Sequence, residues 1–336
     1  MKKRLYTFAA CLLLLASCVK KEVIQPEQSI QPGDAASTGI TSAAPRVRCV
    51  ADELLQKQIA ANPERGRNLE ILEATIQGLQ KGGRKSSNRT ARQIQVIIHI
   101  VLPDPAIVTD AQVRSQIDVL NEDFNKANKE LAKPGVYLAG YDYNTLPVAN
   151  IQFVLDGVIR KATKVSTFST DDDIKFSSEG GSDAVSPATK LNIWVGDIAG
   201  GILGYAQFPG GDPLTDGLVL NYLGFGRTAR YPLAPAYALG RTATHEMGHW
   251  LNLRHIWGDR RCGDDRVEDT PQHDGPNFSC GTIGSRSLCS SRPLEQWMNY
   301  MDYSYDRCLY MFTRLQQERM NLTIEQARNA YFTAVN

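Results

Sequence analysis

The chain has almost no net charge, few histidines and no close cysteine pairs, and each shortage removes a class of function. Its 37 Lys and Arg against 36 Asp and Glu leave a net charge of +1. No broad electrostatic attraction to nucleic acid or to an acidic membrane surface is therefore expected. The apolar run from Leu5 to Ala16 falls short of the ~20 residues that a membrane-spanning helix needs. None of the seven cysteines stands in a Cys-x-x-Cys pair, which argues against a thiolate zinc knot. Histidine is scarce, with five in 336 residues, yet three of the five fall between His245 and His255. With 42% hydrophobic residues, the chain can bury one large core or two modest ones.

The histidine cluster reads HEMGHWLNLRH. His245 and His249 are one helical turn apart, so their rings share a face and can reach one ion, with Glu246 between them. At ~100° per residue, an unbroken helix would turn His255 away from both. The helix must stop and the chain reverse. Asn252 stands where the reversal is needed, and Asn tolerates the left-handed conformation better than other non-glycine residues. Three imidazoles with one position left open form the pattern of a catalytic zinc site rather than a closed structural one.

This motif resembles the metzincin pattern H-E-x-x-H-x-x-G-x-x-H, with Asn252 in place of the glycine. Downstream, Asn299-Tyr-Met-Asp-Tyr303 is similar to the family's Met-turn. The tract from Asp265 to Pro271 and the four cysteines around it resemble the pappalysin (cytophagalysin) family, in particular its bacterial ulilysin and mirolysin group. The likeness is strong over the last third of the chain and general over residues 91–240.

The resemblance implies an α/β (α+β) metzincin-like fold. A mixed twisted sheet with helices forms the N-terminal catalytic subdomain (residues 91–252), which ends in the active-site helix. An irregular, disulfide-stapled C-terminal subdomain (residues 253–336) carries the Met-turn. It also implies a zinc metalloendopeptidase acting on protein and peptide substrates, with His245, His249 and His255 on Zn²⁺ and Glu246 as general base. Tyr303 would stabilise the oxyanion or contact the zinc as a hinged fifth group, and Met301 would form an apolar floor under the metal. An acid at Asp306 would line the S1′ pocket and favour Arg or Lys at P1′.

Cys262, Cys280, Cys289 and Cys308 read as two disulfides with three possible connectivities; the resemblance implies Cys262–Cys289 and Cys280–Cys308. Asp264, Asp265, Glu268 and Asp269 are dense in hard oxygen ligands, and the resemblance implies structural Ca²⁺ there, with Asp265 and Asp269 as ligands.

In chain order, a basic start and a short apolar run build a secretory signal over residues 1–17. Leu15-Ala-Ser-Cys18 resembles a bacterial lipoprotein signal, which would leave Cys18 lipid-modified and the chain on the outer membrane or, once cut, outside the cell. Residues 18–90 read as a tether and pro-segment, polar to about residue 48 and then helical from 51 to 80. Pro63 is placed to restart a helix, and Gly82-Gly83 to end it. Cys49 is the unpaired thiol of an exported chain, and a thiolate is a good zinc ligand. It is the candidate for a fourth ligand that keeps the zymogen latent. Arg84, Arg89 and Arg92 offer sites for self-cleavage.

Strands are expected at 94–102, 151–155, 191–195 and 218–222, and helices at 110–131 (Thr109 or Asp110 as cap), 237–251 and 314–330. Residues 201–208 are assigned to the edge strand that holds substrate in extended form. His99 is read as a core side chain rather than a ligand. A monomer is expected. The alternatives are an inactive, metal-stabilised binding or adhesion lipoprotein of the same fold, and a thermolysin-like protease with a downstream Glu as third ligand.

Overall fold

The apolar, β-branched run Ile94 to Leu102 lies at the centre of the molecule because it has no polar face to show to water. It forms most of strand β1 (Arg92–Leu102), in a computed structural model that describes residues 49–83, 91–133, 136–142, 144 and 146–335. The other strands are β2 (Ile151–Ala162), β3 (Leu191–Gly196), β4 (Gly204–Ala206), β5 (Gly217–Asn221) and β6 (Phe332–Ala334). They order as β2-β1-β3-β5-β4, with β6 paired to the start of β1. The β1–β2, β1–β3 and β3–β5 pairs are parallel, and β4 runs antiparallel to β5 at the edge. The sheet is therefore mixed, as expected of the family. His99 sits inside it with Nδ1 2.8 Å from Ser182 Oγ and Nε2 2.9 Å from Asn192 Oδ1. It is a satisfied core side chain.

Helix α1 (Ala51–Ala61) and helix α2 (Pro63–Lys81) form an N-terminal hairpin. Asn62 is the break: its side chain accepts from Glu64 N, and Pro63 occupies the first helical position. Helix α3 (Asp110–Phe124) is capped by Thr109 as read from sequence, but stops well before residue 131. Asn125 turns its amide back to Asn121 O and across to Ile151 O, and Lys126 takes a positive φ. Strand β2 extends seven residues past the expected end because its parallel register with β1 continues to Leu102↔Ala162.

Helix α4 (Arg241–Trp250) begins four residues later than expected. Gly240 immediately before it has φ 78°, a left-handed conformation that no upstream helix can cross. The final helix, α5 (Arg314–Thr323), ends early and widens into a π turn over Ile324–Arg328. There the Arg328 guanidinium pairs with Asp216 and stacks 4.0 Å above the Trp250 ring. Between Leu251 and Arg314 the regular structure is a single 3₁₀ turn at Asp306–Cys308.

That irregular stretch is tied by the disulfides Cys262–Cys289 and Cys280–Cys308, which close loops of 27 and 28 residues. Loops of that length predict about 3–4 kcal/mol of stabilisation for each bond. The signal sequence and Cys18 lie outside the described residues, and among those described no helix is long and apolar enough to cross a membrane.

The floor under α4 has a tight fit. A Cβ on Gly248 would lie 2.4 Å from Met301 Sδ, so any larger residue there must displace the buried Met301 side chain. Gly248→Ala should destabilise the full chain by about 1–3 kcal/mol through overpacking. The companion Met301→Ala should recover part of that loss in denaturant unfolding. Equal stability of Gly248→Ala and the parent chain would refute the fit.

Candidate metal centre

Helix α4 is buried on all sides, and every residue from Arg241 to Trp250 is shielded from solvent. Its first turn is fixed by charge: Arg241 pairs with Asp123 at 3.3 Å and Glu130 at 2.9 Å, and Thr244 donates to Asp123 at 2.7 Å. Burial pushes the Asp123 carboxyl up to about 6 despite that pairing. At the other end, Asn252 takes φ 70°. Leu253 N donates to Gly248 O at 2.9 Å and Asn252 N to His249 O at 2.8 Å. This is a Schellman closure with asparagine as its left-handed residue, and it reverses the chain where the third histidine required it.

The reversal brings His255 back beside His249. The Nε2 atoms of His249 and His245 are 3.2 Å apart, and those of His249 and His255 are 3.1 Å apart. Each ring's other nitrogen has a fixed partner. His245 Nδ1 lies 2.7 Å from Tyr300 O, His249 Nδ1 lies 2.8 Å from Leu253 O, and His255 Nδ1 contacts the Asp259 carboxylate. A carbonyl or carboxylate oxygen can only accept, so each Nδ1 carries the hydrogen, and in the neutral ring each Nε2 presents a lone pair. Burial and the neighbouring His255 push His249 down to about 3, so its ring is neutral at ordinary pH. Converged lone pairs at these distances repel one another unless a cation lies among them. Three imidazoles so oriented fit a divalent transition metal, zinc above all.

The rings are also held from the sides. Trp257 stacks on His255 with centroids 4.4 Å apart, and Phe208 packs 5.3 Å from His249. Tyr303 lies 4.9 Å from His255 and 5.7 Å from His245, ring to ring.

Cys49 completes the cluster. Among the described residues, one group of ligand-type side chains converges, namely Cys49, His245, His249 and His255, with ligand atoms within 4.8 Å of one another. The Cys49 sulfur donates to Glu246 Oε2 at 3.3 Å, and its carbonyl accepts from the Tyr303 hydroxyl at 2.7 Å. Its backbone bridges Gly204 of β4 in parallel, so Cys49 lies beside the sheet's edge strand. Gly204 is needed there because a Cβ would come within 3.0 Å of the Glu246 side chain and of Val219 O. Burial, and then the Glu246 carboxyl, push the Cys49 thiol well above its ordinary value in the absence of a cation.

The remaining candidates have other partners. Asp306 is buried, and its Oδ2 accepts from Leu239 N at 3.0 Å and Arg241 N at 3.1 Å, at the start of α4. Arg307 is exposed and lies over the Tyr305 ring at 4.9 Å. Asp265 accepts from Val267 N and Thr270 Oγ1, and Asp269 accepts from Thr313 Oγ1 and Leu315 N at the head of α5. Asp264 and Glu268 are exposed. Sequence reasoning missed Asp259, although an acid four residues after a histidine ligand is a legible signal. It also missed the carbonyls of Tyr300 and Leu253, which have no side-chain signature.

A family model described as pregnancy-associated plasma protein-A, of the pappalysin peptidases, matches residues 216–325. Among solved structures, Tannerella forsythia promirolysin (a mutant form) is 36% identical with a TM-score of 0.70, covering 85% of this chain and 97% of that one. Mature mirolysin of the same organism, in complex with a cleaved peptide, is 40% identical with a TM-score of 0.63, covering 71% and 96%. Extracellular metalloprotease 1 of Coccidioides posadasii is 30% identical over 290 residues, which is 80% of this chain and 93% of that protein. Identity at that level, sustained over most of each relative, places the chain in the pappalysin family: it is a metallopeptidase.

Proposed function

We propose that the chain is the latent precursor of an extracellular zinc endopeptidase, with His245, His249 and His255 as the zinc ligands and Glu246 as the general base. The observation that carries this reading is the convergence of three Nε2 atoms whose Nδ1 partners are all acceptors. Zinc, when bound, supplies Lewis acidity for the scissile carbonyl and acidifies a water molecule. The chain's own residues do the rest. Glu246, buried beside the cluster, takes the water proton and returns it to the leaving amine. The Tyr303 hydroxyl, which here donates to the Cys49 carbonyl, donates to the oxyanion of a substrate in the same place. Met301 fills the floor as packing rather than as a ligand.

On this reading Cys49 is the latency ligand, and residues 18–90 are the pro-segment. The relatives support this: the promirolysin structure covers 85% of the chain and mature mirolysin 71%. Cys18 carries the lipid, so removal of the pro-segment by cleavage at Arg84, Arg89 or Arg92 also frees the enzyme from the membrane. The relatives named as extracellular support a site of action outside the cell. Asp306 directs the S1′ pocket toward Arg or Lys, and the Asp265–Asp269 loop takes structural calcium, which would offset the burial that pushes Asp265 up to about 7. Both of these roles rest on the family resemblance. The enzyme acts as a monomer.

Glu246→Ala should retain stoichiometric zinc while losing casein hydrolysis by at least about a hundredfold. Undiminished hydrolysis, or a parent chain without transition metal and indifferent to phenanthroline, would overturn the assignment. Cys49→Ala should shorten the lag before full-length protein becomes active, and an unchanged lag removes Cys49 from latency. In a peptide panel, preference for Arg at P1′ should disappear in Asp306→Ala; a variant with the parent's preference shows that the pocket acid lies elsewhere.

A further inference from the structure

Glu73 of α2 is one of the most deeply buried carboxylates in the molecule, 1% exposed, and every group around it that donates to it belongs to the other side of the pro-segment boundary. Arg319 of α5 reaches its Oε1 with Nη2, Asn252 Nδ2 donates to the same oxygen at 2.8 Å, and Arg266 Nη1 lies 3.2 Å from Oε2. Burial alone would push this carboxyl up, yet Arg319 and the Asn252 amide hold it below its ordinary value. It is therefore an anion in a cage of donors.

Arg319 has an anchor of its own besides Glu73. Arg319 is fully buried and is oriented by its own Nε, which donates to Asn252 O at 2.8 Å. Its Nη1 has no hydrogen-bond partner among the described residues. Arg254 adds a further positive charge nearby, felt by both Arg266 and Arg319. Of the enzyme's own carboxylates, Asp264 accepts from the Arg266 backbone N at 2.8 Å, and Asp265, which feels the Arg319 charge, accepts from Val267 N and Thr270 Oγ1. If residues 18–90 leave, as proposed above, Glu73 leaves with Glu70, the exposed partner of Arg266 at 3.0 Å. A buried Arg319 and a half-buried Arg266 facing one point gain from an anion between them, and a planar fork of donors suits carboxylate, sulfate or phosphate.

We infer that Arg319, Arg266 and Asn252 form an oxyanion-binding site of the mature enzyme, filled in the precursor by Glu73 and afterwards by a carboxylate or tetrahedral oxyanion from solution. Its place gives it consequence. Asn252 is the left-handed residue of the turn that returns His255 to the metal centre, so an anion in the cage braces that turn from behind.

The test uses sodium formate and sodium sulfate against sodium chloride at equal ionic strength. In the full-length chain, Glu73→Ala should lower Tm, and formate should restore it saturably. The parent chain should not respond, and Glu73→Ala combined with Arg266→Ala should lose the response. In the mature enzyme, sulfate should raise Tm saturably where chloride does not, and Arg266→Ala should abolish the shift. The sulfate arm decides the matter if Glu73→Ala does not accumulate as folded protein. A chloride-like response in either arm overturns the inference. Zinc content and casein hydrolysis of the same mature preparation report separately on the protease reading, which stands if they are normal while the anion response is missing.

Discussion

Three lone pairs aimed at one point organise this molecule. Imidazole nitrogens 3.1 and 3.2 Å apart gain nothing from one another, so their spacing suits a shared cation and the scaffold must fix each ring. It does so by fixing the far nitrogen of every ring. Two of the anchors are backbone carbonyls, from Tyr300 in the Met-turn and Leu253 in the reversal. The metal centre is thus built by the folding of two loops onto one helix, and the histidines follow the carbonyls. This explains why a stretch with so little regular structure after α4 carries both disulfides. Fixing tautomers through main-chain acceptors requires loops that do not wander.

Charge is used on the same plan at the ends of α4. Asp123 and Glu130 clamp Arg241 at its start, and Asp216 receives the Trp250 indole at 3.0 Å and the Arg328 guanidinium at its finish. Removing one partner of such a pair leaves an uncompensated buried charge, at a cost of about 3–5 kcal/mol. The pairs therefore fix position, and with it the angle at which His245 and His249 enter the site.

Sequence made the local part of this legible. One-turn spacing put His245 and His249 on one face, and Asn252 marked the reversal because few side chains accept its φ of 70°. The β-branched run of β1 announced a buried strand, and Asn62-Pro63 announced the break between two helices. What was illegible depends on partners far along the chain. No pattern near residue 204 says that Cys49 will lie beside it, and nothing near Asp306 foretells that it will accept from the head of α4. The start of α4 was misplaced because Tyr237 and Ala238 suit a helical period, whereas Gly240 at φ 78° breaks it. The end of α5 was misplaced because Arg328 is drawn inward to Asp216, a contact 112 residues away. Glu73 carried the helical pattern of an ordinary exposed acid, and only the packing of α2 against α5 buries it.

The proposed latency follows from where the hairpin's two buried contacts fall. Cys49, just before the hairpin, meets the candidate metal centre, and Glu73 of α2 meets the turn that follows α4, so the His-bearing segment is held at two points. A cut between residues 83 and 91 touches neither contact. What it changes is concentration: a segment tied to its site by a short linker experiences an effective concentration on the order of millimolar, and once severed it must hold by affinity alone. Release on dilution is then set by how well each vacated group is satisfied afterwards. The imidazoles have substrate and water to face, but the guanidiniums of Arg319 and Arg266 need an anion. The second contact, more than the first, would make departure of the hairpin respond to what the surrounding solution contains.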